Sequence, residues 1–426
     1  MPICLFEDFS ISTLLPLTHV NPDFDLRSGV FTLRERVHQY FENEELELFT
    51  RMALAEAIAE RSGHPVNRQG TADLFIGGST ILRPALVHAI REHRGEDRLF
   101  ASGRRLLAAT VATASLREKL FSWLKTGLIR EELAHRPHSH PDILEFDVPV
   151  TEVDASAFRF PWDLISWNSV LLKEDASFFP LGSVDERAQV AASAELVAPE
   201  NIFIGADVRV GPGCVIDATD GPVIIESGAV IMPQALIMGP VAVGRDSRIK
   251  AAAKIYEGTT VGPVCKVGGE VEESIFHSFS NKQHDGFVGH SYLAPWTNLG
   301  ADTNTSDLKN NYSPIRATLE GREHDTGRMF LGTILADHSK CGINTMFNTG
   351  TVAGVGCNIF GGDFPPKFLP SFSWGGAAGL TEYEFDRFAS TASAVMQRRD
   401  RILTEAERRL LRDVFVQTSA QRDFAP

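Results

Sequence analysis

Between residues 204 and 267 an aliphatic side chain returns every six positions, a spacing that neither a helix nor an ordinary strand uses. Ile204, Val210 and Ile216 make a first run, and after a short insertion at Ala218–Pro222 the series resumes as Ile225, Ile231, Ile237, Val243, Ile249, Ile255, Val261 and Val267. A helix would wind such positions around its axis, and a two-residue alternation would show more apolar positions on one face. Six residues suffice for a short strand and a corner, and three such sides close one coil of about 18 residues, the unit of a hexapeptide-repeat β-helix. Glycines follow several of the repeated aliphatics (Gly205, Gly211, Gly244, Gly262, Gly268) and suit tight corners. The series weakens after Val267 and returns as Leu331, Ile343 and Val355. The polar stretch between them, within residues 270–330, is expected to form loops or modified coils.

Residues ahead of the repeat read as mixed α/β. Helical patterns run from Glu45 to Arg61 and from Arg104 to Leu133, and LFIGG and ILEFDVPV read as short strands. A boundary is expected near Phe179–Gly182. After the repeat, DFPPKFLPSFSWGG breaks regular structure and leads to helical patterns at Glu382–Arg399 and Thr404–Val416, placed to cap the open end of a stack. The division expected is 1–180 for the α/β domain, 181–366 for the β-helix and 367–426 for a helical cap.

A formal charge of −14 repels polyanions in general, which argues against nucleic-acid binding while leaving room for a small basic pocket. No apolar run is long enough to cross a bilayer and the N-terminus lacks an export signal, so a cytoplasmic location is expected. The five cysteines lie far apart and form no zinc-binding pair, and are read as free, mostly buried thiols.

Histidines are the clearest candidates for chemistry. His277, His284 and His290 invite a three-histidine zinc reading, but spacings of seven and six do not specify a ligand set. His135, His138 and His140 sit among prolines and read as an exposed loop. Gly77-Gly78 reads as a turn, Asn304, Asn310 and Asn311 as supports for coil turns, and the aromatics of SFSWGG as packing for the tail.

The segment QHDGFVGHSYLAPWTNLGADT resembles the active-site segment of the bifunctional N-acetylglucosamine-1-phosphate uridyltransferase/glucosamine-1-phosphate N-acetyltransferase family, and NLGADTNTSDLKNNY, CGINTMFNTGT and PSFSWGGAAG resemble a subgroup of sugar nucleotidyltransferase-like proteins. The resemblance is strong over residues 180–380 and weaker before them. It implies an α/β nucleotidyltransferase-like domain, a left-handed parallel β-helix and a helical cap, assembled as a homotrimer with the acyl site between neighbouring prisms. It further implies acetyl-CoA-dependent N-acetylation of an amino-sugar phosphate, linked to nucleotidyl transfer from a nucleoside triphosphate with Mg²⁺ where the N-terminal site is active. By the same match His284 falls on the catalytic base, a role that suits an imidazole titrating near neutral pH. Asn298 falls on a sugar contact, Ala301 on a coenzyme A contact whose amide can face an oxyanion, and Gly342 and Phe360 on coils lining the coenzyme A groove.

Departures from the family pattern are equally informative. Its tyrosine is Phe287 here, and its phosphate-gripping arginine and lysine fall on Tyr256 and Ser274. Lys254, Lys266, Lys282 and Lys309 are then the nearest cations for a sugar phosphate. The glycine-rich triphosphate loop is missing, with no glycine before Gly29, and Arg27 and Arg34 remain as candidate phosphate contacts. Two other readings stay open: a nucleotidyltransferase whose β-helix serves only assembly or regulation, and a non-catalytic trimeric sugar-nucleotide binder.

Overall fold

A computed structural model describes residues 2–7, 11–128, 146–154 and 156–424. The His135–His140 tract and residues 143–145 of the ILEFDVPV segment lie outside these residues, and of the remainder of that segment only Val150 joins a strand, which corrects the strand expected there. The chain forms two compact units. One comprises Met1–Leu26, Phe31–Phe160 and Thr404–Asp413, and the other Arg27–Val30, Pro161–Leu403 and Val414–Pro426.

The first unit is built on six strands: β1 (Ile3–Phe6), β2 (Leu46–Phe49), β3 (Leu74–Gly77), β4 (Arg98–Ser102), β5 (Arg105–Thr110) and β6 (Val150–Glu152), in the order β2-β1-β3-β5-β4-β6. β1, β2 and β3 run parallel, and β5 lies antiparallel to both β3 and β4. Every residue of β1, β3 and β5 is buried, which is why β1, β3 and the Leu106–Ala109 centre of β5 read as apolar runs without alternation. Four helices accompany the sheet: α1 (Leu33–Tyr40), α2 (Met52–Ser62), α3 (Pro84–Glu92) and α4 (Ala114–Leu128). Thr32 and Glu35 close a reciprocal capping box at the start of α1, and Gly63 ends α2 in the left-handed region at φ 70°. Two expected helices are corrected at their N-terminal ends: Leu46–Phe49 and Arg105–Thr110 are strands. Short apolar runs satisfy a buried strand and a helix equally well, and tertiary pairing decides between them.

The second unit is a three-faced parallel β-helix, coiled left-handed. Its first face holds ten strands, from Ser183–Val184 through Val223–Ile225 and Tyr292–Leu293 to Phe368–Leu369. The second face runs from Gln189–Val190 through Arg248–Ile249 to Asn281–Lys282, and the third from Glu195–Val197 through Lys254–Ile255 to Phe287–Gly289. All eleven aliphatics of the six-residue series are buried in one continuous core. Complete burial of each contributes about 1.5–3 kcal/mol.

The repeat does not stop at Val267. Val271, Phe276, Lys282, Val288, Leu293 and Leu299 continue the inward column, with steps of four or five residues where corners shorten. After the inserted residues the column resumes at Leu335, Cys341, Phe347, Ala353 and Ile359. The expected return at Leu331, Ile343 and Val355 is therefore displaced, and Ile343 is 69% exposed. All five cysteines are buried and free.

Helix α5 (Pro161–Asp175) belongs to this second unit, although the sequence places the boundary near residue 180. Asn168 on α5 is wholly buried and joins three segments. Its Oδ1 accepts from Gly29 N (2.7 Å) and Thr260 Oγ1 (3.1 Å), and its Nδ2 donates to Gly258 O (2.7 Å). Helix α6 (Phe385–Gln397) supplies the cap: Phe388 meets Phe372 edge-on at 4.9 Å and fills the space beside Gly356. Helix α7 (Glu405–Gln417) departs from the expected single cap, because Thr404–Asp413 belongs with the first unit. Among the described residues no helix is long and apolar enough to cross a membrane.

Candidate functional site

The strand Phe287–Gly289 ends at the corner between the third and first faces, where His290 takes a left-handed backbone at φ 43°. His290 N donates to Glu272 O in the coil before, and Gly332 N donates to His290 O from the coil after. An inserted excursion then crosses this corner: a hairpin pairs Arg316–Leu319 with Arg322–Asp325, and Leu308 bridges Phe330 at its base. That excursion delivers two side chains to His290. Asp307 Oδ2 lies 2.8 Å from His290 Nδ1, and the Phe330 ring stacks on the imidazole at 4.9 Å.

Gly289 is required by this geometry. A Cβ there would lie 2.3 Å from Asp307 Oδ2 and 2.6 Å from the Phe287 ring, too close for either to remain. Gly289→Ala is therefore expected to displace Asp307 and lower turnover at least tenfold while the far-UV circular dichroism of the coil is retained. Unchanged turnover would show that the carboxylate position does not matter.

Glu272 completes the cluster. One ligand atom from each of Glu272, His290 and Asp307 lies within 4.8 Å of the others, a donor set of a size that accepts a divalent cation. Burial, with the neighbouring Asp307 charge, pushes the Glu272 carboxyl above its ordinary range. With Nδ1 engaged by Asp307, the imidazole is held in one tautomer and its Nε2 is left as the proton acceptor, the arrangement a general base needs. The three-histidine set is not assembled: the only such cluster of metal-capable groups among the described residues contains His290 alone of the three.

His284 lies at a different corner, between the second and third faces, and is exposed. Its carbonyl accepts from Lys282, and its ring has no hydrogen-bond partner among the described residues. Successive coils stack beneath it. Asp302 N donates to Asp285 O, Asn344 N donates to Ala301 O, and Gly342 packs against Phe360, which meets Trp374 edge-on at 5.4 Å. The structure thus brings His284, Ala301, Gly342 and Phe360 onto one corner column. Asn298 lies on the adjoining second face, bridged to Asn281 and Lys340. Phe287 is half-buried over Gly289, and Tyr256 is half-buried on the third face.

Four candidate cations are engaged elsewhere. Lys282 is 0% exposed and fills an inward core position, where its Nζ donates to Gly268 O (3.2 Å) and His284 O (2.8 Å) rather than facing a ligand. Arg27 is buried, with Nε donating to His277 O at 3.2 Å and Nη1 to Val30 O, so its guanidinium joins segments of the second unit. Arg34 pairs with Asp25 at 2.6 Å. Lys309 donates to Pro314 O at 2.7 Å and shapes the excursion. Gly77-Gly78 forms the expected turn, and a Cβ at Gly78 would strike Asp23.

Burial lowers the Lys282 ammonium from 10.5 to about 8. Between those values the unfolded chain holds more protons than the native one, so stability rises with pH across this window. Relative to Lys282→Met, the wild type is expected to gain up to about 3 kcal/mol between pH 8 and pH 10.5, measured by urea denaturation. A pH-independent difference would show that the ammonium is not buried.

The sequence points to His284 and not to His290 as the base, because Asp307 lies 17 residues from His290 and reaches it only through the excursion. Lys282, expected to meet a sugar phosphate, is corrected to a buried position of the inward column, where it keeps the six-residue spacing with Phe276 and Val288.

Residues 3–183 match the family model described as sugar nucleotidyl transferase. The bifunctional protein GlmU of Synechococcus sp. (strain CC9311) is 27% identical over 195 residues, which cover 45% of this chain and 38% of that protein. The bifunctional sugar-1-phosphate nucleotidylyltransferase/acetyltransferase of Sulfurisphaera tokodaii is 31% identical over 202 residues, 47% of this chain and 44% of its own. The matched stretches thus span less than half the length of these relatives. Among solved structures, the UDP-N-acetylglucosamine acyltransferase of Francisella novicida aligns with 55% of this chain and 78% of its own, at 13% identity and a TM-score of 0.25, too low to carry further argument. The chain resembles the bifunctional sugar-1-phosphate nucleotidylyltransferase/acetyltransferase family, with a sugar nucleotidyl transferase match over residues 3–183 followed by a hexapeptide-type left-handed β-helix.

Proposed function

We propose that the β-helix transfers an acetyl group from acetyl-CoA to the amine of an amino-sugar phosphate such as glucosamine-1-phosphate, with His290 rather than His284 as the general base. The observation that carries this reading is the 2.8 Å contact of His290 Nδ1 with Asp307. A carboxylate at Nδ1 fixes the tautomer and stabilises the imidazolium that forms when Nε2 takes a proton. In this reaction the amine gives that proton to Nε2 and attacks the thioester carbonyl. The tetrahedral intermediate then collapses, the C–S bond breaks, and the thiolate leaves and is protonated.

The Ala301–Gly342–Phe360 column supplies a second element of the proposal, a groove for coenzyme A with the Ala301 amide near the oxyanion. His290 and this column occupy different corners of one prism, so a homotrimer joins the His290 corner of one copy to the Ala301 column of its neighbour. Mass-spectrometric identification of an N-acetylated sugar phosphate tests the proposal. Formation of an O-acetylated product, or of none, rejects it.

The match over residues 3–183 favours a second activity, nucleotidyl transfer from a nucleoside triphosphate to a sugar-1-phosphate. Mg²⁺ would neutralise triphosphate charge in such a reaction. The acidic side chains near β1 suit it poorly: Glu7 is held by Arg51 at 3.1 Å and Asp25 by Arg34 at 2.6 Å. Release of pyrophosphate from uridine triphosphate tests this second reading separately.

A further inference from the structure

The second face of the β-helix carries a concentration of positive charge that acyl transfer does not use. Its outward positions on successive strands are Arg209, Val230, Arg248, Lys266 and Asn281, in unbroken parallel register. Arg248 and Lys266 therefore lie about 4.8 Å apart along the ladder. The stem of Lys250 lies across Gly268, at 2.9 Å from where a Cβ would stand, which brings a third cation to the row. Arg399, just beyond α6, reaches the same row and donates from Nη2 to Asn281 Oδ1 at 2.9 Å.

These groups act on one another. Lys266 is held below its ordinary value by burial and then by Arg399, Arg248, Arg398 and Lys250. Arg399 is lowered by burial and by Arg398. Elsewhere in the unit cations meet carboxylates, as Lys254 meets Glu270 at 2.8 Å and Arg316 meets Glu323 at 2.8 Å. None of Arg248, Lys250, Lys266, Arg398 and Arg399 pairs with a carboxylate among the described residues. A second observation points the same way: Arg399 Nε is buried and has no acceptor. A buried donor without a partner costs about 1–3 kcal/mol. Its neighbour Nη2 is fixed by Asn281, so the guanidinium is oriented before any ligand arrives.

We propose that this row binds a small molecule bearing a diphosphate group, whose oxygens are held by Arg248, Lys250, Lys266 and the Arg399 guanidinium. Five unpaired cations in a chain of net charge −14 are compensated by a compact polyanion and not by a nucleic-acid strand, which the overall field repels. Guanidinium groups match phosphoryl oxygens in planar, directional pairs, and a row extending over several strands accommodates two phosphoryl groups rather than one. The site stands independently of the acyl-transfer reading, since it involves neither His290 nor the Ala301 column.

Isothermal titration of the full chain with inorganic pyrophosphate, without acetyl-CoA or sugar, tests it. Binding is expected to weaken at least tenfold in Arg248→Gln and in Arg399→Gln, to fall with rising salt, and to be unchanged in Arg316→Gln. Uridine diphosphate and coenzyme A as competitors assign the source: displacement by one identifies the carrier of the diphosphate, and displacement by neither leaves free pyrophosphate as the occupant. Pyrophosphate binding no tighter than sulfate at equal ionic strength, or undiminished in both glutamine variants, overturns the proposal.

Discussion

His290→Ala is expected to lower acetyl-CoA turnover by about 10²–10⁴-fold, the range a positioned general base supplies. Asp307→Asn should fall between this variant and the wild type. It keeps a partner at Nδ1 but removes the negative charge that stabilises the imidazolium, so kcat drops while the KM for acetyl-CoA holds. His284→Ala is expected to cost less than tenfold, because the His284 ring is exposed and nothing among the described residues orients it. The decisive feature is the order of the three variants. A loss confined to His284→Ala would return the base to the second corner and leave the His290–Asp307 contact as a support for the excursion.

The second large effect falls on stability. Asn168→Leu is expected to destabilise the β-helix unit by about 2–5 kcal/mol, because it strands the buried Gly29 N–H and Gly258 carbonyl, each costing roughly 1–3 kcal/mol. Thr260 keeps a bond to Gly29 O at 3.0 Å and adds little to that sum. Against a typical total of about 5–15 kcal/mol, such a loss is readily seen as a shift in the urea midpoint. An unshifted midpoint would show that Asn168 does not join helix α5, the Arg27–Val30 segment and the coil.

The β-helix was legible because one side chain per six residues is a geometric requirement of a three-sided coil, and Ile225 to Val267 meet it without interruption. The reading faded where corners shorten and where polar residues enter the column. Val271 and Phe276 arrive early, and Lys282 satisfies its burial through two carbonyls, a solution that hydropathy does not register. In the first unit, Leu46–Phe49 and Arg105–Thr110 took helical readings because a four- to six-residue apolar run has no period of its own.

At the site, the chemical segment was legible but the choice of histidine was not. Residues 283–303 contain His284, His290, Asn298 and Ala301, and the fold places His284 and Ala301 at one corner, His290 at another and Asn298 on the second face. Which histidine is oriented depends on Asp307, whose approach requires both the excursion and the missing side chain of Gly289. Arg27 and Arg34 were singled out for their charge, but the fold engages them in a carbonyl network and an ion pair. The second-face cation row is not legible in the sequence because Lys266 lies 16 and 18 residues from Lys250 and Arg248, and Arg399 comes from the tail.

The central claim is that the β-helix carries acyl transfer at the His290 corner. Its most direct test is steady-state release of free coenzyme A thiol by the wild-type chain from acetyl-CoA, with and without glucosamine-1-phosphate. Thiol release that depends on the amino sugar and disappears in His290→Ala is the predicted result. No thiol release above background, with acetyl-CoA shown to be intact and the trimer confirmed in the same sample, would contradict it.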